Sequence, residues 1–152
     1  EMEAPAQLDG GDVLRLGDRL FVGLSARSNR SGIDALKKFV APFPVVTVPI
    51  SVGHLHLKCV CSAPAPDVVV LDPQAVPEEL FSGSRVVRVP SSESYAANTI
   101  GNGERVLVAD GYPVTAHRLD QAGMEVRTTD VSMFAAMDGS LTCLSVWWRV
   151  PV

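Results

Sequence analysis

Short runs with period-two patterning open the chain. "DVLRL" and "RLFVGL" flank Gly17–Asp18, which predicts two strands joined by a glycine-aspartate turn. The period then changes. In "SGIDALKKFVAPF", Ile33, Leu36, Phe39 and Val40 fall on one helical face, predicting about three turns of amphipathic helix with Ser31 as its cap. "PVVTVPI" returns to strand. This strand-strand-helix-strand order recurs. "HLHLKCVCS" and "DVVVLD" predict strands, "PQAVPEELF" a short helix opened by Pro73, and "RVVRVP" a strand. A third copy follows: strands around "AANTIG" and "ERVLVAD", a helix "YPVTAHRLDQAG" that Gly123 terminates, and a strand "MEVRTT". "DVSMFAAMDG" and a strand "LTCLSVWWRV" then read as the start of a further unit. Similar units at a spacing of about 40 residues are a repeat signal, and such units are expected to pack side by side because none buries both sheet faces alone.

Composition narrows the setting. A length of 152 residues suits one domain, here residues 1–152, and 47% hydrophobic residues are enough to build a core. A net charge of −4 without a basic cluster argues against nucleic acid as a partner. The longest apolar runs are too short to span a bilayer, so no membrane is expected. "EMEAPAQ" has no apolar stretch of the signal-peptide kind. Three cysteines, an odd and low count, argue against a disulfide framework and for a reducing, cytoplasmic compartment. The chain begins at Glu1 without a methionine and reads as a fragment.

Three places hold candidate chemistry. In "GHLHLKCVC", strand parity puts His54, His56 and Lys58 on one face and Leu55, Leu57, Cys59 and Cys61 on the other. Four ligands so divided do not converge on one ion, and the paired-cysteine spacing of zinc sites is absent. The cysteine face reads as core, while two imidazoles and an ammonium do not. In "LDGGDV", Asp9 and Asp12 surround two glycines, and a tight turn is the simpler reading. In "MDGSLTCLSV", Cys143 lies just inside a strand, where a cysteine is ordinarily core. Together they suggest a thiol hydrolase. Only about 3% of an unperturbed thiol is ionised at neutral pH, so full activation is worth about 2 kcal/mol. A cationic substrate could supply that, a histidine could move the protons, and a carboxylate could hold the cation.

"LDGGDVLRLGDRLFVGLSARSN", "TVPI…LHLK", "SYAAN" and "MDGSLTCLSV", in this order, resemble the C-terminal part of dimethylarginine dimethylaminohydrolases. These belong to the guanidino-group modifying, or amidinotransferase, superfamily. The resemblance implies an α+β fold: a partial α/β-propeller with about three of the family's five ββαβ modules, plus the start of another. It implies Cys143 as nucleophile, His56 as general acid/base with His54 as the other register, and Asp9 as the acid beside the histidine and the guanidinium. Arg27 in "GLSARSN" would bind the substrate carboxylate, the backbone of Met137 would touch the substrate, and Asp138 would orient the guanidinium or its loop. The implied substrate is a small guanidino compound, methylated arginine, with no metal or organic cofactor. An arginine deiminase-type reaction and a non-catalytic remnant are the alternatives. With the upstream modules absent, the chain by itself is expected to be inactive and to associate with copies of itself through open strand edges.

Overall fold

The computed structural model of the chain describes residues 2–146. β1 (Val13–Leu16) and β2 (Arg19–Leu24) form the expected hairpin, antiparallel from Val13 opposite Val22 to Leu16 opposite Arg19. α1 (Arg30–Val40) crosses over, and β3 (Val45–Pro49) adds parallel to β2. The same pairing, one antiparallel and one parallel, recurs twice. β4 (Cys61–Ala65), β5 (Val68–Leu71) and β6 (Arg85–Arg88) form the second sheet. β7 (Ile100–Gly101), β8 (Arg105–Ala109) and β9 (Glu125–Thr129) form the third. The result is a mixed α/β fold of three consecutive ββαβ-like units, as the recurring order suggests, although the second connection lacks an α-helix.

The units depend on one another for a core. All four residues of β5 are buried. Val69 and Leu71 pack into one apolar cluster with Leu14, Phe21 and Val48 of the first unit. Val68 and Val70 pack into another with Val106, Val108 and Leu119 of the third. Period-two geometry thus sends alternate side chains of one strand to two neighbouring modules. A third cluster, Ala109, Val131 and Leu141, anchors the segment that follows β9, where α3 (Ser132–Ala135) is a single turn. Among the described residues no helix is long and apolar enough to cross a membrane.

Several elements depart from expectation for local reasons. The cap of α1 is Asn29, not Ser31: its Oδ1 accepts the Gly32 N–H at 2.8 Å. Phe39 is 89% exposed, while Ile33 is fully buried. Six residues beyond Ile33 a helix has turned about 120° off the buried line, so Phe39 does not share that face. Pro73 opens no helix. Asp72 instead makes a turn through the Gln74 N–H, and a short 3-10 turn forms only at Glu78–Phe81, after Pro77; a residue preceding proline is pushed out of the helical region. "AANTIG" keeps only Ile100–Gly101 as strand, because 3-10 turns occupy Ser91–Ala97. α2 (Pro113–Gln121) is followed by Gly123 at φ +83°, as expected. The strand over "LTCLSVWWRV" is not found at 141–146, which are turn and loop, and residues 147–150 lie outside the described residues.

Candidate active site

"LDGGDV" folds as a single 3-10 turn, Gly10–Asp12, with Asp9 as its cap. Asp9 Oδ1 accepts the Gly11 N–H at 2.8 Å, and Oδ2 lies 3.3 Å from His56 Nε2. One carboxylate therefore serves both the turn and the site. The Gly11 N–H bond holds the Asp9 carboxyl below its usual range; partial burial opposes this, and His56 and the Arg27 charge add to the lowering. Gly11 is required here, since a Cβ at this position would stand 2.6 Å from the His56 ring. Asp12 is wholly buried. Its Oδ2 accepts the Ser25 and Ser28 hydroxyls at 2.7 and 2.6 Å, and its Oδ1 accepts the Leu57 N–H at 2.9 Å. Ser28 Oγ in turn accepts the Asp9 N–H at 2.9 Å. Asp12 thus ties the acid turn, the loop after β2 and the histidine segment together.

The histidine segment is not a strand. His56 has extended backbone, but Leu57–Cys59 form a 3-10 turn, and β4 starts only at Cys61. Parity therefore does not decide which side chains share a face. Buried Asp12 draws in the Leu57 N–H and breaks the alternation. His56, half-buried, faces Asp9, and its Nε2 is buried without an aligned hydrogen bond. His54 has no such partner among the contacts described. Lys58 turns back to donate from Nζ to the Gly10 carbonyl at 2.9 Å. Burial pulls its ammonium down, while the nearby charges of Cys143, Asp9 and Asp12 act the other way. Cys61 is core, as expected, and burial pushes its thiol up. Cys59 is half-buried rather than core, its thiol raised by burial and further by the charge of Cys143. Among the described residues no group of three or more His, Cys, Asp and Glu side chains is arranged to hold a metal ion.

Cys143 is exposed, not core. It sits in a turn, its N–H donating to the Ser140 carbonyl at 3.0 Å. Asn98 holds this turn to the histidine segment: Nδ2 donates to the Lys58 carbonyl and to Thr142 Oγ1, and Oδ1 accepts the Thr142 N–H. Met137 is 84% exposed, and Asp138 takes a positive φ of 58° in the tight turn before Gly139. Arg27 is exposed on the loop after β2, with its N–H on Ser25 Oγ at 3.0 Å, and its charge reaches Asp9. Of the sequence-derived residues, Asp9, His56 and Arg27 gather at the first unit. The turn that carries Cys143, from the far end of the chain, is tied through Asn98 to the Lys58 carbonyl of the histidine segment. Reading the sequence by residue missed Asp12, Ser28, Lys58 and Asn98 as organisers of the site. All four lie within quoted motifs, and for Asp12 and Asn98 the signal was a carboxylate and an amide where a loop must bury polar groups.

No family model matches the chain. It is 32% identical over 149 residues to N(G),N(G)-dimethylarginine dimethylaminohydrolase of Pseudomonas aeruginosa, covering 95% of this chain and 58% of that protein. To the protein of the same name from Streptomyces coelicolor it is 36% identical over 157 residues, covering 95% and 56%. Among solved structures, a cysteine-to-serine mutant of the Pseudomonas aeruginosa enzyme complexed with citrulline matches with a TM-score of 0.82 at 29% identity, over 93% of this chain and 56% of that one. A histidine-to-glycine dimethylarginine dimethylaminohydrolase, as its adduct with S-methyl-L-thiocitrulline, matches with a TM-score of 0.80 at 30% identity, with the same coverage. An amidinotransferase from Microseira wollei shares the fold at 16% identity and a TM-score of 0.80, over 94% of this chain and 50% of that one. The chain spans a little over half the length of the curated relatives it matches. Over the part it spans, the chain is similar in sequence and in fold to dimethylarginine dimethylaminohydrolases.

Proposed function

We propose that this chain forms the nucleophile-bearing part of a hydrolase that converts dimethylarginine, an N-methylated arginine, to citrulline and dimethylamine. The observation that carries the reading is the Asp9–His56 pair, with His56 Nε2 buried and without an aligned hydrogen bond, joined through Lys58 and Asn98 to the exposed Cys143 turn. The substrate guanidinium favours the Cys143 thiolate by attraction. The sulfur attacks the guanidino carbon and forms a tetrahedral adduct. His56 gives a proton to the dimethylamine as the C–N bond breaks, leaving a thiouronium on sulfur. The now neutral His56 takes a proton from water as that water attacks the same carbon. The C–S bond then breaks as the adduct's hydroxyl proton passes to solvent, releasing citrulline and returning the thiolate and the imidazolium. Arg27 binds the substrate carboxylate, the Met137 backbone contacts the substrate, and Asp138 orients the guanidinium or its loop.

In this reading residues 1–152 are part of one catalytic domain, a partial α/β-propeller supported by the three sheets packed in series. The protein acts in the cytoplasm. Met133, Phe134, Met137, Leu144 and Val146 are exposed near the Cys143 turn in sequence, which favours association of the isolated 152-residue chain with copies of itself; spanning a little over half of its relatives' length, the chain lacks part of the substrate pocket and is inactive alone. The deciding experiment is product analysis with the full-length natural protein, comparing dimethylarginine with arginine. Citrulline with dimethylamine from the former is expected. Citrulline with ammonia from arginine alone would assign a deiminase reaction, and no citrulline from either would assign a non-catalytic remnant.

A further inference from the structure

Two residues of "SYAAN", Tyr95 and Asn98, are tied to the cysteine-bearing segment. The Tyr95 hydroxyl donates to the Gly139 carbonyl at 2.6 Å. Asn98 does more. It is 2% exposed, and every polar atom of its side chain is engaged: Nδ2 to the Lys58 carbonyl at 2.7 Å and to Thr142 Oγ1 at 2.9 Å, and Oδ1 to the Thr142 N–H at 3.0 Å. Lys58 belongs to the 3-10 turn that His56 caps, and the Cys59 N–H of that turn donates to the His56 carbonyl at 3.1 Å. Thr142 immediately precedes Cys143. One buried amide therefore connects the backbone two residues after the histidine to the backbone one residue before the cysteine, across 44 positions of sequence from Asn98 to Thr142.

We propose that Asn98 is a positioning residue that fixes Cys143 relative to His56. The inference rests on the functional reading above and deepens it. A buried amide with both donors and its acceptor matched is a rigid link, and a displacement of about 1 Å between reacting groups costs on the order of a hundredfold in rate. Leu141 anchors the start of this turn in an apolar cluster, while Cys143 itself is exposed, so the polar link through Thr142 sets where the thiol stands.

The test compares two alkylating probes at Cys143 in the full-length natural protein, with site-resolved mass spectrometry. Iodoacetamide, which is neutral, reads the accessibility and ionisation of the thiol. Chloroacetamidine, a cationic amidine, also reads the arrangement that receives a guanidinium. For Asn98→Ala the ratio of the amidine rate to the iodoacetamide rate is expected to fall about ten- to a hundredfold, with the iodoacetamide rate changed by less than about threefold. Thr142→Val removes one of the three contacts and is expected to lower the ratio about threefold; it decides the matter in the same way if Asn98→Ala does not fold. An unchanged ratio in a folded variant overturns the inference. So does a rise in both rates together, which marks general loosening. If the unaltered protein shows no preference for the cation at Cys143, the functional reading fails and the inference with it. If the preference is present and the variants keep it, positioning by Asn98 alone is refuted.

Discussion

Replacing Asp12 by alanine removes three acceptor contacts at once from a side chain that water does not reach. Ser25 is partly exposed, and its hydroxyl can turn to solvent. The Leu57 N–H and the Ser28 hydroxyl, both buried, cannot. Each stranded donor costs about 1–3 kcal/mol, so Asp12→Ala should destabilise the fold by about 4 kcal/mol. For a chain of this size that corresponds to a fall in Tm of roughly 8–16 °C. Asp12→Asn is the control. It keeps an acceptor for the Leu57 N–H, and its amide can donate to the two hydroxyls, so its cost should stay near 1–2 kcal/mol. Urea unfolding followed by far-UV circular dichroism measures both. An Asp12→Ala protein within about 1 kcal/mol of the parent, or an asparagine variant as unstable as the alanine one, would refute the account of Asp12 as the tie between the acid turn and the histidine segment.

Other perturbations read other parts of the structure. Iodoacetamide should label Cys143 first, Cys59 slowly and Cys61 only on unfolding, because burial raises the thiols of the latter two; peptide mapping with Cys61 labelled early would contradict the assigned burial. Gly11→Ala places a methyl group 2.6 Å from the His56 ring and should lower turnover of the full-length protein by about tenfold or more with little loss of Tm; unchanged kcat would show that the ring position does not matter. Glu93 caps α2 from a neighbouring segment, accepting the N–H groups of Val114 and Thr115 and the Thr115 hydroxyl. Burial raises the Glu93 carboxyl, but those hydrogen bonds outweigh it and hold it below its usual range. Its stabilisation is therefore fully present above the unfolded value of about 4.3 and is lost as pH falls through the folded one. Urea titrations from neutral pH down to about pH 3 should show Glu93→Gln losing less stability in acid than the parent, and parallel curves would count against it.

Strand pairing was legible from the chain because period-two patterning and turn residues act locally. β1, β2, β5, β8 and β9 lie where "DVLRL", "RLFVGL", "DVVVLD", "ERVLVAD" and "MEVRTT" put them. The two-sided burial of β5 follows from the same periodicity once modules stack. Legibility failed where a buried polar group decides the backbone. Parity assigned "HLHLKCVC" to a strand, but the Asp12 carboxylate holds the Leu57 N–H and folds that stretch into a turn. Asn98 similarly keeps Thr142 in a turn where the apolar run suggested a strand. The components of the candidate site were therefore readable as motifs, while the contacts that join them, being long-range and polar, were not.

The central claim is that Cys143 forms a covalent intermediate that His56 resolves. S-Methylthiocitrulline tests it directly, because methanethiolate leaves without needing a proton, whereas hydrolysis of the resulting thiouronium still needs a base to activate water. In the full-length natural protein, His56→Gly should accumulate an adduct on Cys143, seen by intact mass and located by peptide mapping. The His54→Gly protein should instead turn the compound over to citrulline. An adduct on Cys59, or His54→Gly trapping the intermediate while His56→Gly turns over freely, would contradict the account.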